Sequence, residues 1–108
     1  SSLADAAHSP DAPGYAAAKA GASRYLESLA LAVADRGVAL TNVRFGFVDT
    51  KMAKGNVRPM MMSVERAVER IVKAIDRRRP PKRVTAPLPM ALLVSAMGCL
   101  MWLRLLIP

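Results

Sequence analysis

Five consecutive residues, Tyr15-Ala16-Ala17-Ala18-Lys19, carry the most specific chemistry in this sequence. On a helix, positions i and i+4 share a face, so the phenol and the ammonium can turn toward one site. A cation beside a phenol favours the phenolate. A phenol so placed can exchange a proton with an alcohol or carbonyl oxygen while hydride moves elsewhere. Ser2 lies thirteen residues before Tyr15, across a loop rich in Pro, Asp and Gly, and adds a hydroxyl. No metal is expected. His8 and Cys99 are the only residues of their types, so neither a Cys/His zinc site nor an intrachain disulfide can be assembled. Cys99 stands in an apolar run and reads as inert packing.

The elements that must position these groups follow from spacing. Residues 1–14 read as a loop ending in Pro13-Gly14. A helix is predicted from about Tyr15 to Arg36, with Leu26, Leu29 and Val33 on one face and alanines that let a neighbour approach closely. Gly37 suits the left-handed position that ends it. Val38 to Val48 reads as a strand, and a helix leading into a largely apolar strand suggests an α/β layer with a buried parallel sheet. Lys51 to Met62 reads as a mobile loop. Ser63 is expected to cap a second helix with Val64, Ala67, Val68, Ile71, Val72 and Ile75 as a buried stripe, and with Glu69 and Lys73 paired on its exposed face. Lys82 to Pro87 is a further short strand. From Ala91 to Leu103 run 13 uncharged residues, short of the roughly 20 needed to span a bilayer. With Pro87 and Pro89 taken as breaks, a core or interfacial helix is the expectation.

Composition bounds the classes. At 108 residues and 53% hydrophobic, the chain suffices for one small ordered domain. The net charge of +8 is uneven. Residues 66–108 hold nine Lys/Arg against two Asp/Glu, and residues 1–65 hold seven against six. No nucleic-acid motif accompanies the basic segment, so a solvated helix end is expected and no nucleic-acid partner. The sequence opens at Ser1 with no secretory pattern and is read as part of a longer protein, cytoplasmic or membrane-associated.

Downstream of the Tyr-Lys pair the strand closes in Val43-Arg44-Phe45-Gly46-Phe47-Val48-Asp49-Thr50. With these residues the sequence resembles the short-chain dehydrogenase/reductase family over nearly its whole length. Ser1-Ser2-Leu3-Ala4 is similar to the family's catalytic-serine motif, and Tyr15 to Gly21 to its YxxxK motif. Residues 43–50 are similar to its Pro-Gly-x-Val-x-Thr strand end, with Phe45 where Pro is usual.

The resemblance implies an α/β fold: the C-terminal portion of a doubly wound parallel-sheet Rossmann domain over residues 1–90, then an apolar C-terminal helix over 91–108. It implies an NAD- or NADP-dependent oxidoreductase interconverting an alcohol and a carbonyl. Ser2 would hydrogen-bond the substrate oxygen, Tyr15 would be the general acid/base, and Lys19 would assist it and hold the nicotinamide ribose. Gly46 would admit the nicotinamide ring, the Val48 backbone would meet its carboxamide, and Thr50 would bond nearby. The Lys51–Met62 loop would cover an apolar small-molecule substrate, and the Tyr15 helix would pack against its equivalent in a homo-oligomer. No Gly-rich strand–turn–helix fingerprint occurs in the sequence, nor the family's further active-site Asn. The chain is therefore read as a fragment of the enzyme, inactive alone. The alternative from another class is a non-catalytic basic segment that binds membrane surfaces through Arg77 to Arg83 and Ala91 to Leu103.

Overall fold

The computed structural model describes residues 2–51, 58 and 60–108. A single 3-10 turn, Leu3–Ala6, follows Ser2 and leads into helix α1, Pro13–Ala32. Proline lacks an N–H, which the first helical turn does not use, so Pro13-Gly14 begins the helix where the sequence suggested a loop. A second 3-10 turn, Ala34–Arg36, closes the segment, and Gly37 takes the expected left-handed conformation at φ 70°.

Strand β1, Asn42–Phe45, and strand β2, Arg83–Ala86, pair in parallel, with Asn42 opposite Arg83 and Phe45 opposite Ala86. Between them runs helix α2, Val64–Ile75. Ser63 Oγ caps it, accepting from the Arg66 N–H at 3.3 Å. On the other side of β1, Ser2 makes a single parallel bridge to Phe45. The order across the layer is therefore Ser2, β1, β2. Side chains alternate across a strand, and the two faces differ. Asn42, Arg44 and Arg83 face α1, whereas Phe45 and Ala86 pack with Met62 and Ala67 under α2. The chain is thus a mixed α/β structure with helices on both faces of a parallel sheet.

Two expectations change. The α2 stripe is covered only along its small residues: Ala67 and Ala74 are buried, while Val64, Val68, Val72 and Ile75 are exposed. Two four-residue strands are too narrow to cover the width of a helix face, and nothing else among the described residues does so. The apolar C-terminal helix, α3, runs from Leu88 to Leu105 and so begins ahead of Ala91. Pro89 does not break it, because it lies in the first turn, where a missing N–H costs nothing. Met90 and Ala91 anchor α3 against Leu3, with Phe47 and Val94 packed around them. Further along, Gly98 sits directly against the Ala6 carbonyl.

Two glycine substitutions separate packing from backbone freedom. A Cβ at Gly98 would collide with the Ala6 carbonyl oxygen, which is backbone and cannot swing away, whereas one at Gly21 within α1 meets nothing within 4 Å. Gly98→Ala should lower stability by roughly 1–3 kcal/mol. Gly21→Ala should raise it by about 0.4–1 kcal/mol through the unfolded chain. Denaturant midpoints of the two variants check both signs.

Candidate active site

Tyr15 stands in the first turn of α1, half exposed, with the Lys19 Nζ 5.6 Å from its ring centroid. The i,i+4 spacing therefore does bring the ammonium to the phenol, in the range of a cation–π contact. Lys19 is half-buried. The other tyrosine, Tyr25, is more exposed and has Leu29 at the corresponding position.

Ser2 stands at the start of the Leu3–Ala6 turn, and its Oγ accepts from the Ala4 N–H at 3.2 Å. That bond uses one acceptor position, and the hydroxyl hydrogen remains available for donation. Ser2, Tyr15 and Gly46, from three separate segments, line one cavity of about 560 Å³ together with Phe47, Arg58 and Met90. This volume lies within the usual range for small-molecule sites. Leu3 and Val94 complete an apolar wall. A Cβ at Gly46 would push aside Met90 Sδ and come within 3.4 Å of Leu3 Cδ1.

Val48 and Thr50 lie further along the chain. Val48 bridges Met62, and the Asp49 N–H donates to the Met62 carbonyl at 2.9 Å. Thr50 is exposed and donates its N–H to the Val48 carbonyl. Neither residue lines the cavity with Ser2, Tyr15 and Gly46. Of the covering loop, residues 52–57 and 59 lie outside the described residues. Arg58, which sequence reasoning missed, stacks its guanidinium 4.8 Å from the Phe47 ring centroid at the cavity. Met90 was missed as well, because its helix was expected to begin at Ala91.

A polar network fixes α1 and the Ser2 turn to the sheet. The buried Arg44 guanidinium donates Nε to Asp5 Oδ2 at 2.6 Å and Nη2 to Asp5 Oδ1. The Ser23 hydroxyl donates to the same carboxylate. Asn42 Nδ2 donates to Ser23 Oγ at 3.1 Å and to Glu27 Oε1 at 3.0 Å. Arg83 then forks onto Glu27 at 2.8 and 2.6 Å. Ala16, Ser23 and Ala30 are the buried residues of α1, at seven-residue spacing. The helix thus approaches the sheet along a stripe of small side chains. The Arg83 fork holds the Glu27 carboxyl below the usual glutamate range against the opposing effect of burial, and Asn42 adds to it.

Compared with known protein families, residues 1–61 match the family model described as short chain dehydrogenase. No curated protein and no solved structure matches the chain.

The Glu27 shift sets a pH dependence for the attachment of α1. A carboxylate held below its unfolded value stabilises the fold above that value, and the contribution is lost as pH falls through the lower, folded one. The loss therefore falls below pH 4.5, the ordinary glutamate value. Glu27→Gln should remove that part of the acid sensitivity, so the variant and the native chain should differ more at about pH 6 than at about pH 3. Urea midpoints at the two pH values check it. An equal difference at both would remove Glu27 from the account.

Proposed function

The chain belongs to the short-chain dehydrogenase family, and on that premise we propose that it is the catalytic, C-terminal portion of an NAD- or NADP-dependent oxidoreductase that interconverts an alcohol and a carbonyl. One observation carries the reading: Ser2, Tyr15 and Gly46, three motif residues far apart in sequence, line one cavity with Lys19 beside the phenol.

The residues present fit one end of such a cofactor. Gly46 lines the cavity without adding a side chain to it, and Tyr15 and Lys19 offer a hydroxyl and an ammonium to the hydroxyls of a nicotinamide ribose. They do not fit its pyrophosphate. The chain's six glycines are dispersed, with no G-x-G-x-x-G turn opening a helix. That half of the binding site belongs, in this reading, to parts of the protein beyond these residues. A nicotinamide bound here supplies hydride exchange at the carbinol carbon.

The chain's own residues do the rest. In alcohol oxidation the Tyr15 oxygen, as phenolate, takes the hydroxyl proton while the C–H electron pair departs as hydride. In carbonyl reduction the phenol returns that proton to the developing alkoxide. The Ser2 hydroxyl donates to the same substrate oxygen and fixes its position. Lys19 keeps its ammonium over the Tyr15 ring, 5.6 Å from the centroid, beside the site where the proton moves. Leu3, Phe47, Met90 and Val94 form an apolar wall that suits an apolar substrate and displaces water. The exposed alanines of α1 suit packing against a second copy.

Tyr15→Phe removes the proton carrier and leaves the ring's packing nearly unchanged, so kcat in the intact enzyme should fall by ~10²–10⁴-fold with the fold preserved. Lys19→Met keeps an unbranched stem and removes the charge. It should lower kcat and also raise the KM for cofactor, which Tyr15→Phe should alter far less. Steady-state kinetics with both variants check the split, and near-normal kcat in Tyr15→Phe would sink the assignment.

A further inference from the structure

Helix α3 has more apolar surface than its packing uses. Its 18 residues have a mean hydropathy of 1.7, yet only Met90, Ala91 and Gly98 among them are buried. A core helix of a globular domain would be mostly covered, so that role is excluded for α3 among the described residues. A full transmembrane span fits poorly as well. Met90, Ala91 and Gly98 are buried against the Leu3–Ala7 segment, which occupies one side of the first three turns. Lipid cannot surround a helix that is seated there on protein.

Beyond Gly98 the situation changes. Leu100, Trp102, Leu103, Leu105, Leu106 and Ile107 are all exposed. Successive helical residues are rotated by about 100°, so this run points in every direction around the axis rather than along one stripe. A protein partner covers one stripe of a helix, whereas a lipid phase surrounds a protruding tip. From Cys99 to Leu105 the tip is roughly 10 Å long, which matches the depth of an interfacial insertion. Trp102 has the amphipathic ring favoured at the headgroup level, and the long stem of Arg104 lets its charge reach the headgroups from an apolar setting.

Charge supports the same occupant. Arg77, Arg78, Arg79 and Lys82 are exposed on the segment leading into β2. Arg83, at the end of that segment, lines one cavity with Ser95 in the middle of α3. The end of the cationic segment therefore lies beside the middle of the apolar helix. Nine Lys/Arg against two Asp/Glu in residues 66–108 give this part of the chain seven of the eight net positive charges. An apolar tip next to a cationic segment is the pair of signals that holds a protein reversibly on an anionic bilayer.

We propose that the protein docks peripherally on anionic membranes, inserting the end of α3 from Cys99 to Ile107 into the interface while Arg77, Arg78, Arg79 and Lys82 face the lipid headgroups. This docking does not depend on the chemistry at Tyr15. It would set the enzyme at a surface where apolar substrates concentrate.

Trp102 is the only tryptophan of the 108 residues and reports insertion without a label. The full chain is mixed with vesicles of phosphatidylcholine, or of phosphatidylcholine with about one third phosphatidylglycerol. The proposal expects co-sedimentation with the anionic vesicles, a blue shift of Trp102 emission and protection from an aqueous quencher. Binding should fall at least several-fold as salt is raised to about 0.5 M. Leu100→Gln with Leu103→Gln should abolish the blue shift, and replacing Arg77, Arg78 and Arg79 with Ala should weaken anionic binding about tenfold. Neither set touches the Tyr15 cavity, so both proteins should retain native circular dichroism, and the same substitutions in the intact enzyme should leave turnover of a soluble substrate unchanged. Unchanged Trp102 emission with the protein left in the supernatant would overturn the proposal. So would salt-insensitive attachment that resists carbonate, which marks a span. A vesicle-independent dimer with Trp102 shielded would overturn it too, giving the surface to a second copy.

Discussion

The Arg44 guanidinium, buried in the middle of a four-residue strand, can exist there only because Asp5 receives it through two hydrogen bonds. Removing one partner of such a pair leaves an uncompensated buried charge and typically costs about 3–5 kcal/mol. The pair joins segments 39 residues apart, and the Asp5 carboxylate also holds Ser23 of α1. From this one carboxylate the rest follows. The Ser2 turn is pinned beside β1, and α1 is drawn down along its small residues. Asn42, Glu27 and Arg83 extend the attachment to β2.

The geometry of the candidate site is a consequence of that anchoring. Ser2 lies three residues before Asp5, and Tyr15 lies at the N-terminal end of the helix that Ser23 and Glu27 fasten. Gly46 comes two residues after Arg44, immediately past the end of the strand. Ser2, Tyr15 and Gly46 are therefore each tied through backbone to a member of the network. Rigid positioning of this kind is what lets a single hydroxyl contribute to rate. The network also explains why charged and amide side chains stand inside the strand. Asn42, Arg44 and Arg83 all face α1, while Phe45 and Ala86 face α2.

Much of this was legible in the sequence. The Tyr15-to-Lys19 spacing, the Ser63 cap and the Glu69–Lys73 pair are local signals, fixed by periodicity and short-range hydrogen bonding, and each stands where the sequence placed it. Helix α1, by contrast, ends at Ala32, short of the expected Arg36, and Gly37 closes a separate 3-10 turn. The polar network was not legible. It joins residues as many as 56 positions apart, and no periodicity records which distant carboxylate meets which guanidinium. A trace existed in the alternation of Asn42 and Arg44 within an otherwise apolar strand, which marks a polar face awaiting partners. Pro89 misled because a proline signals a break only past the first helical turn. The α2 stripe misled differently: its pattern specifies a face suited to burial, but the described residues cover only Ala67 and Ala74.

The central claim is that the Ser2 and Tyr15 hydroxyls act together on one substrate oxygen. Its most direct measurement is kcat in the intact enzyme for Ser2→Ala, Tyr15→Phe and the double variant, with circular dichroism confirming that all three fold. Groups that work as a unit on one atom give strongly non-additive losses. The account predicts that the double variant falls scarcely further than Tyr15→Phe alone. A double variant whose loss equals the product of the two single losses would contradict it, because the hydroxyls would then be acting independently.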